Sequence, residues 1–314
     1  MPHTNPGPTA SAPAFRPTTI IESPRLASLF GTDVFIASET FQYTGSFKFR
    51  AAYNVVAKVP QRRIITASSG NFGQAIAYAC RLLQKSCTVV MPDNSARTKV
   101  ESVRDFGGLV DLIDVRALSR KQRVHDLAQQ DPGAYVASAY DDPLVIEGNA
   151  SLGLELAALP RSIDFVLTPV GGGGLSAGLI QGLNAGGRAK TTAVIGVEPL
   201  IANDAARSLR AGKVIANESE PQTMADGVRT LSLGLHNWTI LQNGLKEIVE
   251  VSEEHIAEAV RLLFRSANLK VEPTGALPVA ALLTRPEMFK GRSICCVASG
   301  GNVDDAVYQR ILAG

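Results

Sequence analysis

The sequence predicts an α/β fold built on parallel sheets, and three observations predict it. Short apolar runs alternate with amphipathic stretches of helical period along most of the 314 residues. Four consecutive glycines, Gly171, Gly172, Gly173 and Gly174, stand between the apolar run 165–170 and the helical stretch 175–183. Two polar turns, Ser68-Ser69-Gly70-Asn71 and Ser299-Gly300-Gly301-Asn302, occupy the same strand-to-helix position elsewhere.

In chain order, residues 18–30 end in a short helix pattern and 34–38 read as a strand. The segment Gln42-Tyr43-Thr44-Gly45-Ser46-Phe47-Lys48-Phe49-Arg50 runs into a helix over 51–58. Residues 63–67 form a β-rich run that ends in the first polar turn, and 72–83 are helical. A strand over 88–91, a Pro-Asp-Asn turn and a helix over 96–106 follow, closed by Gly107-Gly108. Strand 109–114, helix 119–130 and strand 134–137 continue the alternation. Asp141-Asp142-Pro143 breaks it, and a longer helix spans 144–159. The glycine loop and its helix lead to strand 193–198, helix 201–211 and a polar loop over 217–227. Strand 248–251 is followed by Ser252, a good N-cap for a helix over 253–267. Helix 273–283, strand 293–298, the last polar turn and a final helix complete the chain.

Composition bounds the function. A net charge of +2 gives no basis for nucleic-acid binding, and no apolar run is long enough to span a bilayer. Residues 1–17 are rich in Pro, Thr, Ala and Ser, have no hydrophobic signal core, and read as a disordered tail. Cys80, Cys87, Cys295 and Cys296 show no metal spacing and read as buried reduced thiols of a cytoplasmic protein.

Glycines on a strand–helix boundary turn tightly and leave N–H groups free, and the helix N-terminus adds positive charge, so the loop suits a phosphate. One reading is a dinucleotide site. Gly172-x-Gly174-x-x-Ala177 fits the fingerprint and Glu198 ends the next strand, which would make an NAD-dependent oxidoreductase. That reading leaves the polar turns and Lys48 unused. Lysine between Phe47 and Phe49 is commonly a surface residue that snorkels; desolvated, it becomes a nucleophile able to form a Schiff base. A ligand with a phosphate, an aldehyde and a ring nitrogen that needs a hydrogen bond is pyridoxal 5′-phosphate. A non-catalytic amino-acid-binding module is the third reading, and it predicts binding without turnover.

These residues resemble the fold-type II pyridoxal-phosphate enzymes, specifically the threonine/serine dehydratase and serine racemase group, from about residue 18 to 312. The motifs are 42–50, 68–74, Asp141-Asp142-Pro143, 171–175, Gly196-Val197-Glu198-Pro199, Ala225-Asp226-Gly227, Glu272-Pro273-Thr274-Gly275 and 299–302. The resemblance implies two domains, each with a mostly parallel twisted sheet flanked by helices. Residues 18–59 and 142–314 would form the large cofactor domain and 60–141 the small substrate domain. It also implies roles. Lys48 would hold the cofactor as a Schiff base and, once freed, take the α-proton. Phe47 would pack beside the ring, and Asn71 would bond its 3-hydroxyl. Gly171, Gly172, Gly173, Gly174 and Leu175 would cradle the phosphate, and Ser299 would meet the pyridine nitrogen. Ser68, Ser69 and Asn71 would receive the substrate carboxylate, with Ser69 passing a proton on the opposite face. Glu198, the Ala202 carbonyl and Asp204 match the group's divalent-cation site, suited to Mg²⁺ or Ca²⁺.

The implied activity is β-elimination from a β-hydroxy-α-amino acid of the L-threonine or L-serine type, yielding a 2-oxo acid and ammonia. A serine-type racemase and a 3-hydroxyaspartate ammonia-lyase are the alternatives on the same scaffold. The resemblance further implies a homodimer. Phe72 stands where the group usually has histidine, which puts the substrate's identity at that position. Asn203 replaces an acid often found in the cation site. The chain ends just after the final helix, so a C-terminal regulatory domain is not expected.

Overall fold

The computed structural model describes residues 15–68, 70–95 and 97–314. Among them, ten strands form two sheets. The larger takes the order β1-β2-β10-β7-β8-β9 and the smaller the order β5-β4-β3-β6. The larger sheet comprises β1 (Thr19–Glu22), β2 (Asp33–Ser38), β7 (Phe165–Pro169), β8 (Ala193–Pro199), β9 (Leu245–Val251) and β10 (Ser293–Ala298). All its pairings are parallel except the edge pair β1–β2. The smaller sheet, β3 (Arg63–Ala67), β4 (Ser86–Pro92), β5 (Leu109–Ile113) and β6 (Tyr135–Val136), is wholly parallel. The predicted α/β class, with two mostly parallel sheets, is what the chain adopts.

Strands covered on both faces need apolar residues at every position. In β2, Val34 and Ile36 pack on one face, whereas Phe35 and Ala37 pack on the other. In β10 the same alternation sends Cys296 to the first face and Cys295 to the second. All four cysteines are free and buried.

The helices follow the predicted pattern: α1 (Pro24–Phe30), α2 (Lys48–Lys58), α3 (Asn71–Leu82), α4 (Arg97–Asp105), α5 (Arg120–Gln130), α6 (Pro143–Ala157), α7 (Gly174–Ala185) and α8 (Asp204–Ala211). After them come α9 (Leu235–Gly244), α10 (Glu253–Ala267), α11 (Pro273–Thr284), the single turn α12 (Pro286–Phe289) and α13 (Asp305–Ala313). Ser252 caps α10 as expected, its hydroxyl accepting from the His255 N–H. Asp142 and Pro143 start α6 by the same logic, the Asp142 carboxylate accepting from the Leu144 N–H.

Several elements differ from the sequence reading, among them the single turn α12, which was not read, and β9, which starts at Leu245 and not at residue 248. The strand β1 lies inside 18–30, where only a helix end was read. Helix α9 was not read at all, and α8 begins at Asp204, not at residue 201. The predicted tail, 1–17, lies mostly outside the described residues. Its last part is seated on the body: Arg16 bonds the Phe41 carbonyl at 2.8 Å and lies over the Tyr43 ring.

Candidate active site

Lys48 opens α2, directly after a turn that is tied to the end of β10. The Phe47 N–H donates to the Ser299 carbonyl at 2.9 Å, and Ser46 bridges to Gly300. A residue at the end of the central strand β10 is thereby fixed beside the lysine. The Lys48 Nζ donates to the Ala139 carbonyl at 2.6 Å and lies 5.1 Å from the Phe47 ring centroid and 5.7 Å from that of Phe72. Desolvation pushes its amine down to about 8, opposed by the charge of Glu272. Phe72 is only 1% exposed and packs into the core of the smaller sheet while walling this amine.

The glycine loop joins β7 to α7. Gly171 has φ +48 and Gly173 has φ +93, conformations that L side chains rarely adopt. Its carbonyls are held from behind. Gly172 O accepts from the Gly234 N–H at 3.0 Å and the Asn237 amide at 2.7 Å, and Gly174 O accepts from the Asn149 amide at 3.0 Å. Gly174 and Leu175 sit in the first turn of α7, where N–H groups have no acceptor within the helix. A Cβ at Gly172 would overlap the Tyr140 ring, and one at Gly174 would lie 2.7 Å from the Tyr140 carbonyl oxygen. Tyr140 follows the Ala139 that binds Lys48, so the amine and the loop meet through two consecutive residues. Asp141 anchors this junction by accepting from the Leu235 and His236 N–H groups at 2.9 Å each.

Ser299 is 1% exposed, and its Oγ has no hydrogen-bond partner among the described residues. A buried hydroxyl without a partner costs free energy unless something else completes it. Asn71, at the start of α3, donates its Nδ2 to both oxygens of Glu272, at 2.9 and 3.1 Å, and accepts from Asn302 at 2.7 Å. Burial raises the Glu272 carboxyl, and the neighbouring Asp226 adds to the rise. Ser68 bonds the Gly70 N–H across its own turn at 3.3 Å. Ser69, the predicted opposite-face residue, lies outside the described residues. Sequence reasoning gave no role to Glu272, Asn302 or Tyr140. The only signal for them was membership of the motifs at 272–275 and 299–302 and the place of Tyr140 before Asp141.

Glu198 and Asp204 are fully buried, and Ala202 is 1% exposed. One Glu198 oxygen accepts from the Ala206 N–H at 2.9 Å, which caps α8 from the end of β8. That contact explains why the helix begins only at Asp204. The other Glu198 oxygen and Asp204 Oδ2 have no partner among the described residues. Burial pushes Glu198 well up, with Asp204 adding to it, and burial brings Asp204 up to about 6. Asn203 is engaged outside the pair, with Arg207 and Glu250. Among the described residues no group of three or more His, Cys, Asp and Glu side chains is placed to hold a metal ion. A cation here would therefore draw on the Ala202 carbonyl and water besides the two carboxylates. Buried under α8, Glu198 is not open to a ribose over the glycine loop, and the dinucleotide reading loses its acid.

Two ion pairs cross from the smaller-sheet residues to the loop over 217–227: Lys99 to Asp226 at 2.6 Å and Arg120 to Glu220 at 3.3 Å. The donor set fits pyridoxal phosphate on three counts. It has a desolvated primary amine, a helix N-terminus behind side-chain-free backbone, and a partnerless buried hydroxyl. The comparisons with known proteins agree. Residues 12–300 match the family described as pyridoxal-phosphate dependent enzyme, and the chain belongs to that family. It is 34% identical over 301 residues to an L-threo-3-hydroxyaspartate ammonia-lyase of a Pseudomonas species, covering 95% of this chain and 93% of the relative. It is 33% identical over 300 residues to the serine racemase of Homo sapiens, covering 91% and 86%. A crystal structure of the T.th. threonine deaminase superposes with a TM-score of 0.88 at 40% identity, covering 93% of this chain and 94% of that one. No helix among the described residues is long and apolar enough to cross a membrane.

Proposed function

We propose that this chain is an ammonia-lyase that removes the β-hydroxyl and the amino group of a β-hydroxy-α-amino acid of the L-threonine or L-serine type, giving a 2-oxo acid and ammonia. The observation that carries it is the Lys48 amine, desolvated between Phe47 and Phe72 and one residue from the Tyr140 that covers the glycine loop. When bound, the cofactor supplies the electron sink that makes the α-proton acidic. Lys48 would hold it and, once released, would take that proton. Phe47 would pack beside the ring, Asn71 would donate to its oxygen, and the N–H groups of Gly171, Gly172, Gly173, Gly174 and Leu175 would receive the phosphate. Ser299, whose buried Oγ has no partner among the described residues, would offer the ring nitrogen a neutral hydroxyl, which would not force a proton onto it and would suit expulsion of the β-hydroxyl. Ser68, Ser69 and Asn71 would take the substrate carboxylate, Phe72 would face the β-substituent, and Ser69 would pass the proton on the far face. We assign residues 18–59 and 142–314 to a cofactor domain and 60–141 to a substrate domain. Homodimeric assembly and cytoplasmic residence complete the reading, the latter supported by the four free buried thiols.

The test is direct. Purified protein should be yellow, borohydride should fix the chromophore on Lys48, and 2-oxo acid should appear from one or more of a panel of β-hydroxy amino acids. A colourless protein sinks the reading. A second reading, elimination from 3-hydroxyaspartate, is favoured by the names of relatives such as the Pseudomonas enzyme, and the same panel decides it. Phe72→His is expected to change the ratio of kcat/KM between the best substrate and its competitors by about tenfold or more, since it exchanges an apolar wall for a polar one. An unchanged ratio would remove Phe72 from substrate choice.

We also propose that Glu198, Asp204 and the Ala202 carbonyl hold Mg²⁺ or Ca²⁺, on the strength of the two partnerless carboxylate oxygens. Cation at a hundred times its dissociation constant is expected to stabilise the fold by about 2.7 kcal/mol. In melting experiments chelation should lower Tm and Glu198→Gln should abolish the difference; a Tm indifferent to both cations rules the site out.

A further inference from the structure

Glu272 is 3% exposed, follows the Val271 end of a loop and opens α11. Its own N–H donates to the Gly300 carbonyl at 3.0 Å, one residue beyond Ser299. Both of its carboxylate oxygens accept from the same nitrogen, Asn71 Nδ2. The two oxygens of one carboxylate subtend a far smaller angle at that nitrogen than its two N–H bonds make, so a single N–H serves both and the other is left to point elsewhere. On the opposite side of the amide, Asn71 Oδ1 accepts from Asn302 Nδ2, whose second N–H goes to the Thr44 carbonyl at 2.7 Å. Asn302 owes its place to Gly45, at φ +71, where any Cβ would overlap its side-chain amide.

This arrangement allows the Asn71 amide one orientation. Turned over, it would set Oδ1 against the Glu272 carboxylate and bring two N–H donors of Asn71 and Asn302 face to face. We propose that Glu272 is a positioning residue: it locks the Asn71 amide so that its remaining N–H is presented to the cofactor ring. The proposal rests on the cofactor site described above. The groups facing Glu272 are Lys48 and Lys99, which favour its ionised form together with Asn71, and Asp226, which opposes it. Its charge in turn favours the protonated Lys48 amine. Glu272 thus reaches the reacting amine through space and the ring through Asn71.

The test compares holoenzymes carrying Glu272→Gln, Glu272→Ala, Asn71→Ala and the Asn71→Ala/Glu272→Ala pair, each checked for folding by circular dichroism. Glu272→Ala is expected to weaken retention of pyridoxal phosphate, read by loss of visible absorbance on dilution, by about tenfold. In the Asn71→Ala background the same change should add less than about twofold, because residues acting through one another are not additive. Glu272→Gln can still accept from Asn71 and should keep retention within about threefold of wild type. Its lost charge should move the acid limb of the kcat profile, which reports the Lys48 amine freed in the substrate complex, to lower pH, since Lys48 then gives up its proton more readily. Equal losses from Glu272→Ala in both backgrounds, or an acid limb unmoved in Glu272→Gln, would overturn the role. If Glu272→Ala does not fold, the pH profile of Glu272→Gln decides alone. A colourless wild type would instead overturn the cofactor site itself.

Discussion

Lys48→Ala is expected to lower turnover by on the order of ten-thousand-fold or more and to leave no cofactor fixed by borohydride. The expectation follows from the place of the amine. Nothing else among the described residues offers a primary amine against the Ala139 carbonyl, with aromatic rings at 5.1 and 5.7 Å to keep water out. Desolvation holds Lys48 at about 8, so a useful fraction is neutral near physiological pH, and only the neutral amine can attack an aldehyde or take a proton. Activity should fall as pH drops below that value. Lys48→Arg keeps the positive charge but never gives up its proton, and it should be as inactive as the alanine variant. Both should remain folded, because the side chain makes a single hydrogen bond to the main chain. Residual activity of more than a few per cent in either would assign the chemistry to another group.

Arg50→Met is expected to destabilise the fold by about 3–5 kcal/mol, the usual cost of removing one partner from a buried ion pair. Arg50 is fully buried two residues after Lys48. It meets Glu39 at 2.7 and 2.9 Å and Glu155 at 2.6 and 3.1 Å in fork-to-fork geometry. Glu39 is also fully buried; burial already raises its carboxyl, and Arg50 opposes that rise. Without the guanidinium the ionised form of Glu39 would stand alone, and its carboxyl would rise further. A carboxyl raised in the folded state favours folding when protonated, so the deficit of Arg50→Met should shrink as pH falls and be largest at neutral and alkaline pH. Thermal melts from pH 5 to 8 check this. Arg50→Lys should not rescue it, because an ammonium cannot serve two carboxylates in a plane. A loss below about 1 kcal/mol would show that the triad is solvated.

Much of the fold was legible because parallel strands covered on both faces write themselves as unbroken apolar runs. The strand β10 and the helix α10 were read with their observed ends for that reason, the helix also because Ser252 caps it with a local side chain. Helix α9 was not legible. Leu235 to Gly244 contains Asn, Trp, Thr and Ile, none of them strong helix formers, and its N-terminus is capped by Asp141, 94 residues away in sequence. The strand β1 was missed because an edge strand of four residues is held only by pairing with β2. In the site, Lys48, Asn71, the glycine loop and Ser299 were marked by local patterns. Glu272 and Asn302 lay inside marked motifs but received no role, since an acid before Pro273 and an asparagine after two glycines read as ordinary helix-start residues.

Residue types at strand-to-helix turns were enough to determine the class of fold and to mark the glycine loop and the lysine, because each depends on a few neighbours in sequence. Only tertiary structure decided which of those turns meet. The pairing of 45–47 with 299–301 sets Ser299 beside Lys48, and the junction at Ala139 and Tyr140 carries the lysine to the glycine loop. Tertiary structure also turned Glu198 under the N-terminus of α8, away from any ribose, and set Glu272 against Asn71. Those contacts join residues well separated along the chain, and their energies come from burial and from partnered charges, which local sequence patterns do not encode.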